Sequence, residues 1–304
     1  HAIVKYLISQ KILVDGKKLP LFAGAFGIFG HGNVACLGQA LEENKKELPT
    51  WRGHHEQNMA LTGIAFSRAK RRKQIFVATS SVGPGSTNML TAAAVAMSNR
   101  LPMLFLPGDT YANRMPDPVL QQVEHFNNPN ITQNDAFKYV TRYFDRITRP
   151  EQILQTFPQA IQTMIDPADC GPACISLSQD VQGETFDYPE EFFNEKIHTI
   201  RRPRPDDYQI KQAADLIKKS KNPIIISGGG IFYSDAMKEL SQFAKKHNIP
   251  TAQTVMGYST MKKDDPYFLG AIGGFGGKAT NNFMKKTDLA IAVGTKLADF
   301  TTGS

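Results

Sequence analysis

The strongest indication of the fold is the segment Ala78-Thr79-Ser80-Ser81-Val82-Gly83-Pro84-Gly85-Ser86-Thr87-Asn88. It follows an apolar run at 75–79, typical of a buried strand, and leads into a helical pattern at 86–98. Glycines in such a turn let the backbone approach a ligand closely, and the helix start offers free N–H groups. The stretch lacks both Gly-x-Gly-x-x-Gly and the Lys-Ser/Thr of a phosphate-binding loop. It predicts a tight strand-to-helix turn, either structural or ligand-binding.

Strand-like and helix-like patterns alternate on both sides of this turn. Further strands are predicted at 26–29, 103–107 and 173–178, and further helices at 33–43, 56–70 and 151–165. Strands separated by helices of this length indicate βαβ units and a parallel sheet. A second alternating unit follows, with helices at 208–219 and 234–247 and strands at 223–227, 250–253 and 289–293. The fold class is therefore α/β, with two doubly wound parallel-sheet domains.

The domain boundaries follow from a change in composition. Residues 181–205 are rich in Glu, Pro, Asp and Arg and lack an apolar period, so we expect an inter-domain linker there. The first domain would cover 1–180 and the second 206–304. Because the second unit stops shortly after a strand, we expect it to be truncated.

Composition narrows the functional classes. The 304 residues carry a net charge of +7, concentrated in basic runs at 70–73 and 201–204 without interleaved aromatic residues. That arrangement does not favour nucleic-acid binding. No apolar run reaches the roughly 18 residues that span a membrane, and residues 2–9 are interpreted as an amphipathic helix. Cys36, Cys170 and Cys174 are expected to be small buried thiols of a cytoplasmic protein, with no metal site.

Two further segments carry candidate chemistry. In His54-His55-Glu56-Gln57, Glu56 opens a helix, where it could pair with the helix dipole or, among apolar groups, carry a proton. In the glycine-rich turn at 26–33, His31 could be a structural hydrogen-bonding residue or reach a ligand. Three glycine-bearing turns at one end of a parallel sheet favour a ligand crevice there.

The combination resembles the pyrimidine-binding domain of thiamine-diphosphate-dependent enzymes of the acetolactate synthase and pyruvate decarboxylase group. The family pattern of a Phe-Gly-Val-Pro-Gly-like turn, an Arg-His-Glu-Gln-like stretch and Thr-Ser-Gly-Pro-Gly-x-Thr-Asn is matched at 26–30, 53–57 and 79–88. The resemblance continues at 117–122 and 171–180, and reaches the family's central domain at 223–230. It therefore extends over nearly the whole chain.

The resemblance implies a set of site residues. Glu56 would contact the aminopyrimidine ring nitrogen and favour its reactive tautomer, with His31 and His55 as further catalytic residues. His31 and Gln121 would face the substrate. The cofactor-binding set would be Gly30, Glu56, Thr79, Gly83, Pro84, Gly85 and Asn88.

The resemblance also has implications for the assembly. The family holds the diphosphate and Mg²⁺ on a separate C-terminal domain with a Gly-Asp-Gly motif, and Gly108-Asp109-Thr110 does not match that motif. That domain is expected to be absent from this chain. Because the family's cofactor lies between two subunits, a homo-oligomer, at least a dimer, is expected.

Three departures from the family pattern point to one branch. The first turn reads Phe29-Gly30-His31, the Thr79 loop carries Ser81-Val82 as extra residues, and the stretch at 117–122 lacks an aromatic residue. These features look most like the branch that hydrolyses a polyhydroxylated cyclic dione, a trihydroxycyclohexane-dione, in inositol catabolism. The alternative is a carboligase or decarboxylase acting on 2-oxo acids. A third possibility is a non-enzymatic nucleotide-binding module using the turn at 228–230, although no acidic ribose partner follows it.

Overall fold

The computed structural model describes residues 1–303. The chain divides into two compact units, His1–Arg202 and Pro203–Ser304. Each unit has a parallel β-sheet with helices, as the predicted α/β class requires.

The first unit contains ten strands and six α-helices. The strands are β1 (Gln10–Val14), β2 (Lys17–Pro20), β3 (Phe22–Gly27), β4 (Thr50–Arg52), β5 (Ile75–Thr79), β6 (Leu104–Phe105), β7 (Gly108–Asp109), β8 (Tyr143–Ile147), β9 (Ala173–Ser178) and β10 (Lys196–His198). The helices are α1 (Ala2–Ser9), α2 (Gln39–Glu43), α3 (Glu56–Ala69), α4 (Pro84–Thr87), α5 (Leu90–Asn99) and α6 (Ile153–Ile165). A π-helical turn at Val34–Gly38 precedes α2, and short 3₁₀ segments lie at Gln133–Tyr139, Pro150–Gln152, Val181–Gly183 and Glu190–Phe193.

The main sheet of this unit has the order β4-β3-β5-β6-β9-β7, with β8 on the other side of β9. All its pairs are parallel. Strands β6 and β7 pair with successive parts of β9, so they form one interrupted strand line. Because parallel strands end at the same edge, the loops after β3, β4, β5 and β7 lie together there. That edge is where open α/β sheets bind ligands.

Two predicted helices are divided in the structure. The predicted helix at 86–98 is divided into α4 and α5. Asn88 lies between these two helices, and its side-chain amide donates a hydrogen bond to Glu56. The predicted helix at 33–43 begins as a π-helical turn, because the Gly38 N–H reaches back to the Asn33 carbonyl at 2.7 Å. At Asn88 a tertiary contact therefore takes precedence over the local helical pattern.

The stretch at 181–205, expected to be a linker, packs on the first unit as far as Arg202. Strand β10 pairs parallel with β1, which pairs antiparallel with β2, giving a second, three-stranded sheet. Phe192 stacks on Tyr6 at a centroid distance of 4.3 Å. The polar composition hid these contacts, because β2 and β10 are short and mostly exposed.

The core of the first unit lies between the main sheet and helices α1, α2 and α6. Its largest fully buried side chains include Leu7, Ile12, Leu41 and Phe157. These residues come from segments far apart in sequence, so the unit depends on long-range packing rather than on any single helix. Among residues 1–303, no helix is both long enough and apolar enough to cross a membrane.

The second unit is a four-stranded parallel sheet. Its strands are β11 (Pro223–Ser227), β12 (Thr251–Gln253), β13 (Phe268–Ala271) and β14 (Leu289–Val293), in the order β13-β12-β11-β14. Its helices are α7 (Asp207–Lys219), α8 (Gly229–Tyr233), α9 (Met237–His247), α10 (Lys278–Met284) and α11 (Asp299–Thr302), with a 3₁₀ turn at Val255–Gly257.

His198 in β10 makes stability depend on pH. Burial, and to a lesser extent the charge of Lys196, lower the pKa of His198 from 6.5 to about 4. The unfolded chain therefore binds a proton between about pH 6.5 and 4 while the folded chain does not, so stability falls as pH falls through that window. We expect His198→Gln to flatten the decrease in melting temperature between pH 7 and pH 4. The exposed His247→Gln is the control, and an unchanged slope in His198→Gln would contradict the prediction.

Candidate functional site

A cleft of about 640 Å³ opens at the carboxyl edge of the main sheet in the first unit. This volume is in the range of small-molecule sites. The lining residues come from the loops after β3 and β5, the start of α3 and the segment before residue 122. They are Ile28, Phe29, Gly30, Glu56, Ser81, Pro84, Gly85, Thr87, Asn88 and Gln121.

Glu56 is the half-buried carboxylate of this cleft. It is the first residue of α3, with His55 in an extended N-cap conformation before it. Its Oε2 accepts a hydrogen bond from Asn88 Nδ2 at 2.7 Å. Its Oε1 lies beside Gly85, where a Cβ atom would come within 3.3 Å of it. One oxygen is thereby oriented by Asn88, and the other faces a surface without a side chain, where a flat ligand could approach.

His55 lies beside the cleft rather than in its wall. Its Nε2 is 3.5 Å from Asn88 Nδ2, at the outer limit of a hydrogen bond, and its side chain is exposed. Asn88 therefore stands between His55 and Glu56, and no direct hydrogen bond links those two side chains in the described part of the chain. The geometry makes Asn88 the residue that orients the Glu56 carboxylate.

Thr79 and Gly83 lie behind the cleft. The Thr79 hydroxyl is fully buried, donates to the Leu106 carbonyl at 2.8 Å and accepts from Asn33 at 3.0 Å. Gly83 has a φ of 71° and is so close to Gln121 that a Cβ would lie 1.9 Å from the Gln121 carbonyl oxygen. Both residues therefore shape the loop from the inside, and neither is among the residues that line the cleft.

His31 reaches the cleft through a partner. Its Nε2 lies 3.2 Å from Oε1 of Gln121, which lines the cleft. Gly30, Glu56, Pro84, Gly85 and Asn88 line it directly. The structure thus brings most of the predicted cofactor-binding residues together in the cleft, and His31 and His55 lie at the margins of that cleft.

A buried polar network behind the site was not anticipated from the sequence. Asp109, fully buried at the end of β7, accepts from Arg146 Nε at 2.8 Å, Ser176 at 2.6 Å and Thr132 at 3.0 Å. Burial by itself would lower the pKa of Arg146, but Asp109 and Asp135 outweigh it and raise that pKa. The predicted strand at 103–107 ends before Asp109, so no local sequence pattern marked this residue as buried.

This network reaches the cleft through Asn134. The Asn134 side chain donates to the Gly108 carbonyl at 2.9 Å and to Ser176 at 2.7 Å, and its oxygen accepts from Ser86 in α4. Ser86 follows Gly85, which borders Glu56. The network therefore anchors the glycine-bearing wall of the cleft to strands β7 and β9.

The three cysteines do not contribute to the site. Burial raises the pKa of Cys170 to about 12 and that of Cys174 well above its usual value, so both remain thiols. Cys36 is only partly buried. Within residues 1–303, no three His, Cys, Asp or Glu side chains come together as a metal site.

Gly83→Ala should disturb the cleft from behind. The added Cβ would lie 1.9 Å from the Gln121 carbonyl oxygen, in a backbone conformation that side chains disfavour. We expect a loss of about 2 kcal/mol or more in the free energy of unfolding, measured by denaturant titration. Gly183→Ala is the matched control, since its Cβ would meet only Cys36 Sγ at 4.0 Å. Equal stability of both variants would show that the close approach is not required.

Comparison with known proteins connects this geometry to a family. Residues 22–129 match the model of the thiamine pyrophosphate enzyme N-terminal TPP binding domain, and residues 210–304 match that of the thiamine pyrophosphate enzyme central domain. The chain belongs to the thiamine pyrophosphate enzyme family. The cleft and Glu56 lie within the part matched by the N-terminal domain of these enzymes.

The whole length of this chain aligns with curated relatives. It is 48% identical over 304 residues to a 3D-(3,5/4)-trihydroxycyclohexane-1,2-dione hydrolase of Geobacillus thermodenitrificans and 49% identical to one of Clostridium tetani. All of the chain aligns, against 48% and 47% of those two proteins. The chain therefore spans about half the length of the curated relatives it matches.

Proposed function

We propose that this chain is part of a thiamine-diphosphate-dependent hydrolase that opens the ring of 3D-(3,5/4)-trihydroxycyclohexane-1,2-dione. The observation that carries the proposal is the identity of 48% over all 304 residues to hydrolases of that name. The alignment covers all 304 residues, including the segments that depart from the general family pattern.

The residues of the cleft fit the aminopyrimidine part of thiamine diphosphate. The ring needs a carboxyl group at one edge and a flat approach to its face. Glu56 supplies the carboxyl group, and Gly85 leaves open the surface beside Oε1. Asn88 holds the second oxygen at 2.7 Å, so the carboxyl group cannot turn away without losing a hydrogen bond.

The chain's own residues would control a proton and the shape of the cleft. When bound, thiamine diphosphate supplies a nucleophilic carbon and accepts the electron pair of the broken C–C bond. Glu56 would share a proton with the ring nitrogen, and Asn88 would keep the carboxyl group in line for that exchange. Pro84 and Gly85 would pack against the ring through their backbone. His31 and Gln121 would face the substrate, with His55 as an outer helper.

The rest of the assembly is also a proposal. We place Mg²⁺ and the diphosphate group on residues outside this chain, and we propose a cytoplasmic homo-oligomer, at least a dimer. The support is the resemblance to the family, together with relatives about twice as long as the chain. The domain limits 1–180 and 206–304 belong to the same proposal, in which the stretch at 181–205 joins the two domains, although it packs on the first compact unit as far as Arg202.

The glycine turn at 228–230 has a structural explanation. A Cβ on Gly228 would lie 2.3 Å from the Gly294 carbonyl oxygen, and one on Gly230 would lie 2.6 Å from Gly294 Cα. The Gly230 N–H donates to that same Gly294 carbonyl at 2.8 Å. These glycines permit two backbone loops to pack together, so they give no support to a nucleotide-binding module.

The test is an assay of the full-length gene product with thiamine diphosphate and Mg²⁺. We expect the cyclic dione to disappear with formation of an open-chain acid, and pyruvate to yield little acetolactate. Acetolactate formation faster than dione hydrolysis would favour the carboligase alternative. Calorimetry with thiamine diphosphate and Mg²⁺ checks cofactor binding separately from the choice of substrate.

A further inference from the structure

One short loop packs against both sides of His31. A Cβ on Gly30 would lie 2.7 Å from Ser81 Oγ, and one on Gly32 would lie 2.5 Å from Val82 Cγ2. The Gly32 N–H also donates to Ser81 Oγ at 3.3 Å. Ser81 and Val82 are buried, so this packing is not a surface contact. The backbone on each side of His31 is therefore held in place by the two residues that lengthen the Thr79 loop.

The same loop holds the partner of the His31 ring. Residue 83 follows Ser81-Val82, and its lack of a side chain lets the Gln121 carbonyl oxygen occupy the place of a Cβ. Gln121 has a φ of 65°, an uncommon conformation for a residue with a side chain, which persists only where its surroundings impose it. Residues 81–83 thus position both the backbone of His31 and that of Gln121.

The contact between the two side chains assigns the ring proton. Nε2 of His31 lies 3.2 Å from Gln121 Oε1, and an amide oxygen only accepts hydrogen bonds. With the Gln121 oxygen facing the ring, this contact is a hydrogen bond only when Nε2 carries the hydrogen, and neutral imidazole then has its lone pair on Nδ1. In that state Nδ1 can take a proton from the water molecule consumed by hydrolysis, while the water oxygen bonds to a substrate carbonyl carbon and the carbonyl π pair moves to its oxygen. The resulting imidazolium would keep its Nε2–H bond to Gln121.

We propose that Gln121 is a positioning residue, which holds His31 with Nε2 protonated and Nδ1 free, and that residues 81–83 form the frame for this pair. The proposal deepens the proposed function and rests on it, since His31 is given the proton transfer of the hydrolysis. Gln121 acts here through its oxygen, which distinguishes it from a residue that donates to the substrate through its amide N–H groups.

Three substitutions of Gln121 in the full-length enzyme separate these roles. Gln121→Glu keeps an acceptor, Gln121→Lys can only donate, and Gln121→Leu does neither. We expect kcat for the dione to stay within about tenfold of the parent in Gln121→Glu and to fall by roughly 100-fold in the other two, with smaller changes in KM. A loss in Gln121→Glu equal to that in Gln121→Leu would overturn the proposal. Leu120→Ala, at an exposed neighbouring side chain, is the matched control.

A spectroscopic measurement tests the positioning without any substrate. In ¹⁵N-histidine-labelled protein, at a pH where imidazole is neutral, His31 is assigned by its loss in His31→Ala. We expect protonated Nε2 in the parent and in Gln121→Glu, and protonated Nδ1 in Gln121→Lys. Protonated Nδ1 in the parent, or no inversion in Gln121→Lys, would overturn the proposal. Because this result does not depend on the dione, it distinguishes a wrong positioning role from a wrong substrate.

A double-mutant cycle completes the test. If Gln121 acts through His31, Gln121→Leu should add less than about twofold to the loss in kcat already caused by His31→Ala. An additional loss as large as that in the parent background would show that Gln121 acts independently, and would overturn the proposal. Calorimetry is the control for the cleft itself. We expect the affinity for thiamine diphosphate to be unchanged in all variants, which would show that the cleft is intact.

Discussion

Glu56→Gln in the full-length enzyme is expected to lower kcat by roughly 10² to 10⁴-fold, the usual contribution of a positioned proton-transfer group. The amide keeps the size of the side chain and can still accept a hydrogen bond from Asn88, so the fold of α3 is retained. It cannot share a proton with a ring nitrogen. The rate of dione loss at saturating cofactor measures the effect.

The control for Glu56→Gln is Glu47→Gln, which removes the same charge from an exposed position. We expect that variant to keep parental activity, and both variants to keep the parental melting temperature. Activity of Glu56→Gln within threefold of the parent would remove Glu56 from the proposed chemistry. The cleft would then need another proton carrier, and the assignment by resemblance would have failed at its central residue.

Asp109→Asn is expected to have the largest effect on stability. It leaves Arg146 partly buried with one of its two carboxylate partners removed, and it disturbs the hydrogen bonds of Ser176 and Thr132. Breaking a buried ion pair at one partner costs about 3 to 5 kcal/mol. Denaturant unfolding of the protein followed by circular dichroism measures the change.

An exposed ion pair gives the comparison for Asp109→Asn. Glu195 pairs with Lys18 at 2.7 Å between exposed side chains. Glu195→Gln should cost less than about 1 kcal/mol, because exposed pairs are screened by water. If the two variants lose similar amounts, the Asp109 network is not an anchor of the cleft wall. A loss of thiamine diphosphate affinity in Asp109→Asn alone would indicate that the anchor also shapes the site.

The sequence predicted the residues of the cleft better than the buried polar network behind it. Glu56, Gly85 and Asn88 are part of short motifs whose order and spacing are visible in the sequence, and the structure places them in contact. The Asp109–Arg146 pair joins positions 37 residues apart and has no local pattern. Sequence patterns reflect interactions between residues that are close along the chain. An ion pair between residues on two different strands leaves no such pattern.

The dependence on local patterns also explains which strands could be predicted from the sequence. Strands β5 and β9 are buried along their whole length, and their apolar runs gave the correct bounds. Strands β1, β2 and β10 are short and partly exposed, so their composition resembled that of loops. Their identity as strands depends on pairing between residues such as Gln10 and Lys196, which only the folded chain reveals.

The pairing of Gln10 with Lys196 also limits when the first unit can finish folding during synthesis on the ribosome. The parallel neighbour of β1 is translated roughly 180 residues after β1, about 10 to 40 s later at ordinary elongation rates. During that interval one edge of β1 has no strand to pair with. The three-stranded sheet of the first unit can therefore be completed only after residue 198 has been translated, just before the second unit begins at Pro203.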